Sequence, residues 1–153
     1  MSFLAIEHTR SDVGTIVDLA DVRGDQVYKT YYHGTFAQAT NSLADYVRFV
    51  HAKSNYLFHA RQVDLILYNA DIHLAYMLMC RGDVNSACAR LNAAYEFHHS
   101  LESREGWDSV PKAEFPGLIV RGIEKVDATN RPAWKSEFDL ETNTIKAVIS
   151  RFR

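Results

Sequence analysis

Histidines and carboxylates are the side chains of this sequence whose spacing could do chemistry. Seven histidines are spread over 153 residues. Glu96-Phe97-His98-His99 contains a Glu-x-x-His spacing, which on a helix brings Glu96 and His99 to one face. That arrangement suits a carboxylate-bridged di-metal centre, which also needs a second Glu-x-x-His and further carboxylates from other helices. No second copy occurs. A helical wheel turns Glu96 away from the apolar stripe of its own helix and leaves His99 on the flank. A looser set comprises His51, His59, Asp64, Asp71 and His73. With His99, the members His51, His59, Asp64 and His73 would be the ligands of a metal-assisted hydrolase.

The His-Asp dipeptide that marks the HD-type phosphohydrolases is absent from the chain. His73 shares a helical face with Ile66, Ala70 and Met77, which makes it a core histidine hydrogen-bonded to a neighbour. No metal and no cofactor are therefore expected. Nucleophilic catalysis finds no better footing. Cys80 and Cys88 form no CxxC pair, and both fall on or beside the buried side of their helices, where a thiol keeps its proton. There is no Gly-x-Ser-x-Gly elbow and no glycine-rich phosphate loop. The two Arg-Gly-Asp tripeptides, at 23–25 and 81–83, read as turns.

Tyr28, Tyr31, Tyr32, His33 and Phe36 place five ring residues in nine positions. A small strand cannot bury them all on one face, and exposed tyrosines are favoured at protein interfaces. The sequence therefore predicts a contact surface built from Tyr28, Tyr31, Tyr32 and Phe36, joined by Tyr95, Glu96 and His99. The competing expectation is that the aromatic segment packs across the helices as a lid.

The elements that must position these groups are mostly helical. Between Gly34 and Gly82 there is neither glycine nor proline, and all three prolines lie at or after residue 111. A β protein of this length needs more frequent turns. Leu43, Tyr46, Val47, Val50 and Leu57 predict a helix from about Ser42 to Ala60. Val63, Ile66, Leu67, Ala70, Leu74, Met77 and Leu78 predict a second, with Ala52 to Asn55 as the weak point between them. One kinked helix over Ser42–Met79 is the alternative. Gly82 then supplies a left-handed C′ position and Asp83 a cap for the next helix. Its stripe runs Val84, Ala87, Cys88, Leu91, Ala94, Tyr95, His98 and Leu101, and Gly106 closes it, with Trp107 folding back. Two long helices so closely linked pack antiparallel.

From Leu74 to Leu101 the pattern resembles a tetratricopeptide-type helical hairpin. Ala75, Ala87, Leu91 and Ala94 stand at that family's small or packing positions, with Gly82 at the turn. Asp71 stands where an aromatic is usual and His99 where proline is, and no second copy follows at that period. The resemblance implies a closely packed helix pair over under a fifth of the chain.

The flanks follow weaker signals. Val27 to Tyr32 has strand propensity and is expected to pair with Thr15–Val22 as a small N-terminal β-hairpin. Residues 107–138 read as loop-rich, although Ile119, Ile123 and Val126 suit one face of a helix. Asp139 is expected to cap a last helix over 139–153 with Ile145, Val148, Ile149 and Phe152 buried. The expected fold is mainly α: a compact antiparallel helical bundle with a central helical hairpin, 1–153 as one domain, helical core 42–104, strand-like aromatic segment within 1–36.

Bulk properties narrow the function classes. Hydrophobic residues make up 47% and charged residues 24%, ordinary globular usage that argues against disorder. A net charge of −2, with no run of like charges, argues against a duplex nucleic-acid partner. The apolar run Phe3 to Ile6 is too short for a signal-peptide core, and no stretch approaches the roughly 18 residues of a membrane span. A cytoplasmic location is expected. The sequence-level expectation is a non-enzymatic protein-interaction module, an adaptor or inhibitor, binding another protein or itself as a homo-oligomer. The alternatives are the metal-assisted hydrolase and a component of a larger, viral assembly.

Overall fold

Residues 23–53, 60–105, 110–137 and 142–152 are described by the computed structural model. Among them are six α-helices and no strand: α1 (23–33), α2 (Phe36–Ala52), α3 (Ala60–Arg81), α4 (Val84–Glu105), α5 (Phe115–Asp127) and α6 (Thr142–Arg151). Two short 3₁₀ segments, Lys112–Glu114 and Ala133–Glu137, flank α5. α2 lies against α3, α6 against α4, and α5 against both α3 and α6.

The centre is the antiparallel pair α3–α4, whose members have 22 residues each. Gly82, at φ +90°, ends α3 in the left-handed region. The Asp83 N–H donates to the Leu78 carbonyl at 2.9 Å and the Gly82 N–H to Met79 at 3.0 Å. This double closure satisfies two carbonyls that a helix end leaves free, and it reverses the chain within two residues. From Ala70 to Cys80 every side chain except His73 and Leu78 is buried, so this half of α3 is surrounded on nearly all sides. Ala75, Ala87, Leu91 and Ala94 are fully buried, and the alanines let the two helix axes approach closely.

α2 starts on a capping box. The Thr35 hydroxyl accepts from the Gln38 N–H at 3.2 Å, and the Gln38 side chain accepts from the Thr35 N–H at 2.9 Å. The Phe36 N–H donates to the Glu137 carboxylate at 2.8 Å, which places a negative charge at the positive end of the helix dipole. Gly34 makes the α1–α2 corner possible, because a Cβ there would lie 2.7 Å from the Thr30 carbonyl oxygen.

Several boundaries differ from the sequence reading. The segment Val27–Tyr32 is helical, not a strand, and its expected partner Thr15–Val22 lies outside the described residues. The first core helix starts at Phe36 and ends at Ala52, with Lys53 as its C-cap, instead of spanning Ser42–Ala60. It and α3 are separate helices. The region 107–138 contains the 13-residue α5. Ile119 and Ile123 are buried in it, whereas Val126 is 56% exposed. Val148 on α6 and Phe152 just beyond it are buried but Ile149 is exposed, and the side chain of Ile145 lies outside the described residues. Gly106, Trp107 and Asp139 lie outside the described residues.

Leu91 is fully buried and its neighbour Asn92 is exposed. Leu91→Ala is expected to cost roughly 2–5 kcal/mol in a urea melt, and Asn92→Ala to be nearly silent. Equal effects would mean that the phase of α4 is wrong.

Candidate functional site

Two adjoining features bring polar and aromatic groups together: a buried carboxylate with its donors, and an apolar groove beside it. The carboxylate is Asp127, the last residue of α5, only 3% exposed. The Tyr31 hydroxyl donates to it at 3.2 Å and the Tyr32 hydroxyl at 3.4 Å. The Lys135 ammonium, itself nearly buried, lies 3.1 Å from the same carboxylate and also 4.7 Å from the centre of the Tyr76 ring. α1, α5 and the 3₁₀ segment Ala133–Glu137 thus meet at one point. Around it stand Trp134, fully buried, and the rings of Tyr31, Phe36 and Tyr76, 5.7 to 6.3 Å from the indole. The indole N–H finds no acceptor among the described residues, so Trp134 contributes packing.

The protons in this cluster are held tightly. Burial, then the charge of Asp127, pushes the Tyr31 phenol far above its ordinary value and that of Tyr32 up to about 12. Burial likewise raises Tyr76 well above its usual range. It pushes the Cys80 thiol up to about 11 although Lys135 opposes the shift. All four groups keep their protons at neutral pH. Tyr31 and Tyr32 are therefore donors to the carboxylate, and Cys80 is not a thiolate nucleophile. The arrangement holds three elements together.

The groove lies between α1, α3 and α5 and encloses about 730 Å³. Its walls are Tyr28, Tyr31 and Tyr32 from α1, Ile66 and Tyr68 from α3, and Leu118, Gly122 and Val126 from α5, with Leu43 and Tyr46 of α2 also lining it. Tyr28 packs against Tyr32 with ring centres 4.8 Å apart and planes tilted by 53°. His73 lies at the floor, its ring 5.0 Å from that of Tyr31 and its Nδ1 2.7 Å from the Asn69 carbonyl oxygen. Burial lowers its pKa, ahead of the opposing effects of the Asn69 carbonyl and Asp127.

The sequence-predicted contact residues divide between two places. Tyr28 is 60% exposed at the groove, while Tyr31, Tyr32 and Phe36 are buried. The lid expectation describes these three better than a set of free anchors. Tyr95 is half-buried on α4, its hydroxyl donating to the Val110 carbonyl at 3.1 Å and its ring 5.2 Å from Phe115. Glu96 and His99 are exposed beside it, with the His99 ring 4.5 Å from that of Tyr95. None of Tyr95, Glu96 and His99 lines the groove.

The candidate metal ligands are also dispersed. His51 is exposed near the end of α2, His73 lies at the groove floor, and His99 is on α4. His59 and the side chain of Asp64 lie outside the described residues. Among the described residues no three His, Cys, Asp or Glu side chains gather in a metal-binding group. Asp71 is instead buried against Arg90 of α4, at 3.2 Å, and burial raises its pKa in spite of the opposing charges of Arg90 and His51. It ties α3 to α4 at a position where the tetratricopeptide pattern has an aromatic.

Sequence reasoning missed Asp127 and Lys135, which are single charged residues in unremarkable surroundings. It also missed the exposed stripe Leu118, Gly122 and Val126, although its four-residue spacing was a readable signal. No family model matches the chain, and no curated protein or solved structure does either.

Two outcomes test this site. Asp127→Asn leaves the Lys135 ammonium buried without its counter-charge and is expected to cost about 3–5 kcal/mol of stability. Adding Lys135→Met should recover part of that loss; strictly additive losses in urea melts would show that the pair is not coupled. The second outcome concerns pH. The folded-state pKa of His73 lies below the unfolded value of 6.5, so the unfolded chain binds more protons between the two. Stability is complete above the unfolded value and is lost as pH falls through that window. His73→Phe should flatten the decline in urea midpoint between about pH 7.5 and about pH 5. An unchanged slope would assign the decline to other groups.

Proposed function

We propose that this chain is a non-enzymatic interaction module, an adaptor or inhibitor, that binds another protein through the groove between α1, α3 and α5. What supports the reading is where exposed apolar surface collects. Four large apolar side chains stand exposed among the described residues, namely Tyr28, Leu118, Val126 and Ile149, and the first three line this groove. Single exposed apolar side chains need no explanation, but a contiguous patch marks a binding surface. Its walls are pre-formed. Tyr31 and Tyr32 are fixed by Asp127, and Tyr28 packs against the ring of Tyr32, so little side-chain entropy remains to be lost on binding. The neighbouring polar cluster supports the same reading, since its phenols and thiol retain their protons and its carboxylate is occupied by donors.

The test compares the full-length wild type with Leu118→Glu and Val126→Glu as baits in native lysate, with quantitative mass spectrometry. Both positions are exposed, so circular dichroism and melting temperature should stay at wild-type values. Partners that depend on the groove should fall by roughly tenfold or more, as expected when a contact worth about 1–2 kcal/mol is lost. Asn92→Ala, on α4, serves as the control that leaves capture unchanged. Identical capture by wild type and both groove variants would overturn the proposal.

A further inference from the structure

We infer that the groove receives one α-helix of a different protein, laid across α5 at Gly122, with acidic residues beside Arg121 and Lys125. This rests on the interaction reading above and specifies its partner. Leu118, Gly122 and Val126 follow one another at four-residue spacing, all exposed, so they form a single apolar stripe along α5 with a notch at its middle. A Cβ at Gly122 would meet nothing within 4 Å among the described residues. Glycine inside a helix is less stable than alanine, and nothing described in this chain uses the space that it leaves. A notch between two larger apolar side chains is what the ridge of a second helix requires for close approach.

The walls also select the backbone of the occupant. They are helices, whose backbone groups are bonded within the helix, so they offer no ladder to an extended peptide. The Tyr31 and Tyr32 hydroxyls are engaged by Asp127, and His73 Nδ1 by Asn69. An entering segment must satisfy its own N–H and C=O groups, and a helix does so.

Charge then selects the partner. Arg121 and Lys125 are exposed on the flank of the stripe, and neither has an ion-pair partner among the described residues. On the α1 side, Asp25 and Lys29 are both exposed and oppose each other in sign. Glu124, the other exposed charge of α5, stands about 160° round the helix from Gly122, so the edge beside the stripe is basic. A second copy fits poorly. An antiparallel α5 pair about a two-fold axis would set Arg121 against Lys125 of its mate. The remaining exposed large side chain, Ile149, lies on α6, whose charges are Lys146 and Arg151. Among the described residues, no helix offers an apolar stripe with an acidic edge.

The probe is a fluorescein-labelled 21-residue amphipathic peptide helix with leucines on one face and glutamates flanking them, titrated into the full-length protein by anisotropy. Its counterpart carries lysine at each glutamate. The glutamate peptide should bind at least tenfold more tightly, with the difference shrinking as salt rises. Arg121→Glu with Lys125→Glu should reverse the preference. Gly122→Leu should abolish binding. Gly122→Ala should weaken it severalfold while raising the melting temperature, which separates occupancy from stability. Equal binding of both peptides, or affinity untouched by Gly122→Leu, would overturn the inference. So would a monomer–dimer equilibrium dissolved by Val126→Glu, which assigns the groove to a second copy. Peptide binding that appears only after Asp18→Lys with Asp21→Lys, two acidic residues of the sequence before α1, also overturns it, by assigning the groove to that segment of the same chain. Loss of native partners with Leu118→Glu, alongside any of these results, leaves the interaction reading standing and removes this one alone.

Discussion

A carboxylate taken out of water must find donors and a counter-charge, and Asp127 imposes that requirement on three elements at once. Its partners come from α1 and from the 3₁₀ segment after α5, so neither can move without leaving a charge unsatisfied in the interior. The requirement also explains the conformation of the aromatic segment. In a strand, Tyr31 and Tyr32 would point to opposite faces. In a helix they diverge by only about 100°, close enough for both hydroxyls to reach one carboxylate. The strand propensity of Val27–Tyr32 is local, and it yields to a tertiary contact that only a helix can make.

This bears on what the sequence could disclose. The α3–α4 hairpin was legible because its information is local: the spacing of Ala87, Leu91 and Ala94, and a glycine where the chain reverses. The break after α2 was legible only in part: Ala52 to Asn55 stood out as a weak point, but the helix was expected to run on to Ala60, and it ends at Ala52. Helix α1 was not legible, because the residue that decides it lies some 95 positions away and carries no pattern of its own. Val126 was grouped with Ile119 and Ile123 as suiting a helix, but it is 56% exposed, on the neighbouring face that it shares with Leu118 and Gly122. The paired tyrosines were noticed as unusual, and their excess was real. Its cause is a buried polar junction, with Tyr28 alone of the three turned outward.

The junction and the groove form one piece of architecture. Tyr31 and Tyr32 are anchored by their hydroxyl ends and present ring surface to the groove, so the polar contact fixes the shape of the apolar one. Tyr28, 60% exposed and held against the buried ring of Tyr32, supplies the open part of the aromatic wall with few rotamers to lose. The opposite wall is a helix face broken by Gly122. One side is therefore rigid and aromatic, and the other has a notch of backbone. The asymmetry gives the groove a direction, which a featureless apolar cleft lacks.

The ties that dock α1 and the start of α2 span 95, 96 and 101 residues, whereas the central hairpin closes across two. Protein synthesis reads this difference as time. At about 5–20 residues per second, α1 emerges on the order of 5–20 s before Asp127 and Glu137 exist. The first described helix thus acquires its place only after α3 and α4 have already met. During that interval two tyrosines destined for the interior face solvent on a growing chain, next to a segment with strong strand propensity. The order of the elements along the chain leaves this segment open to early adhesion to other nascent chains.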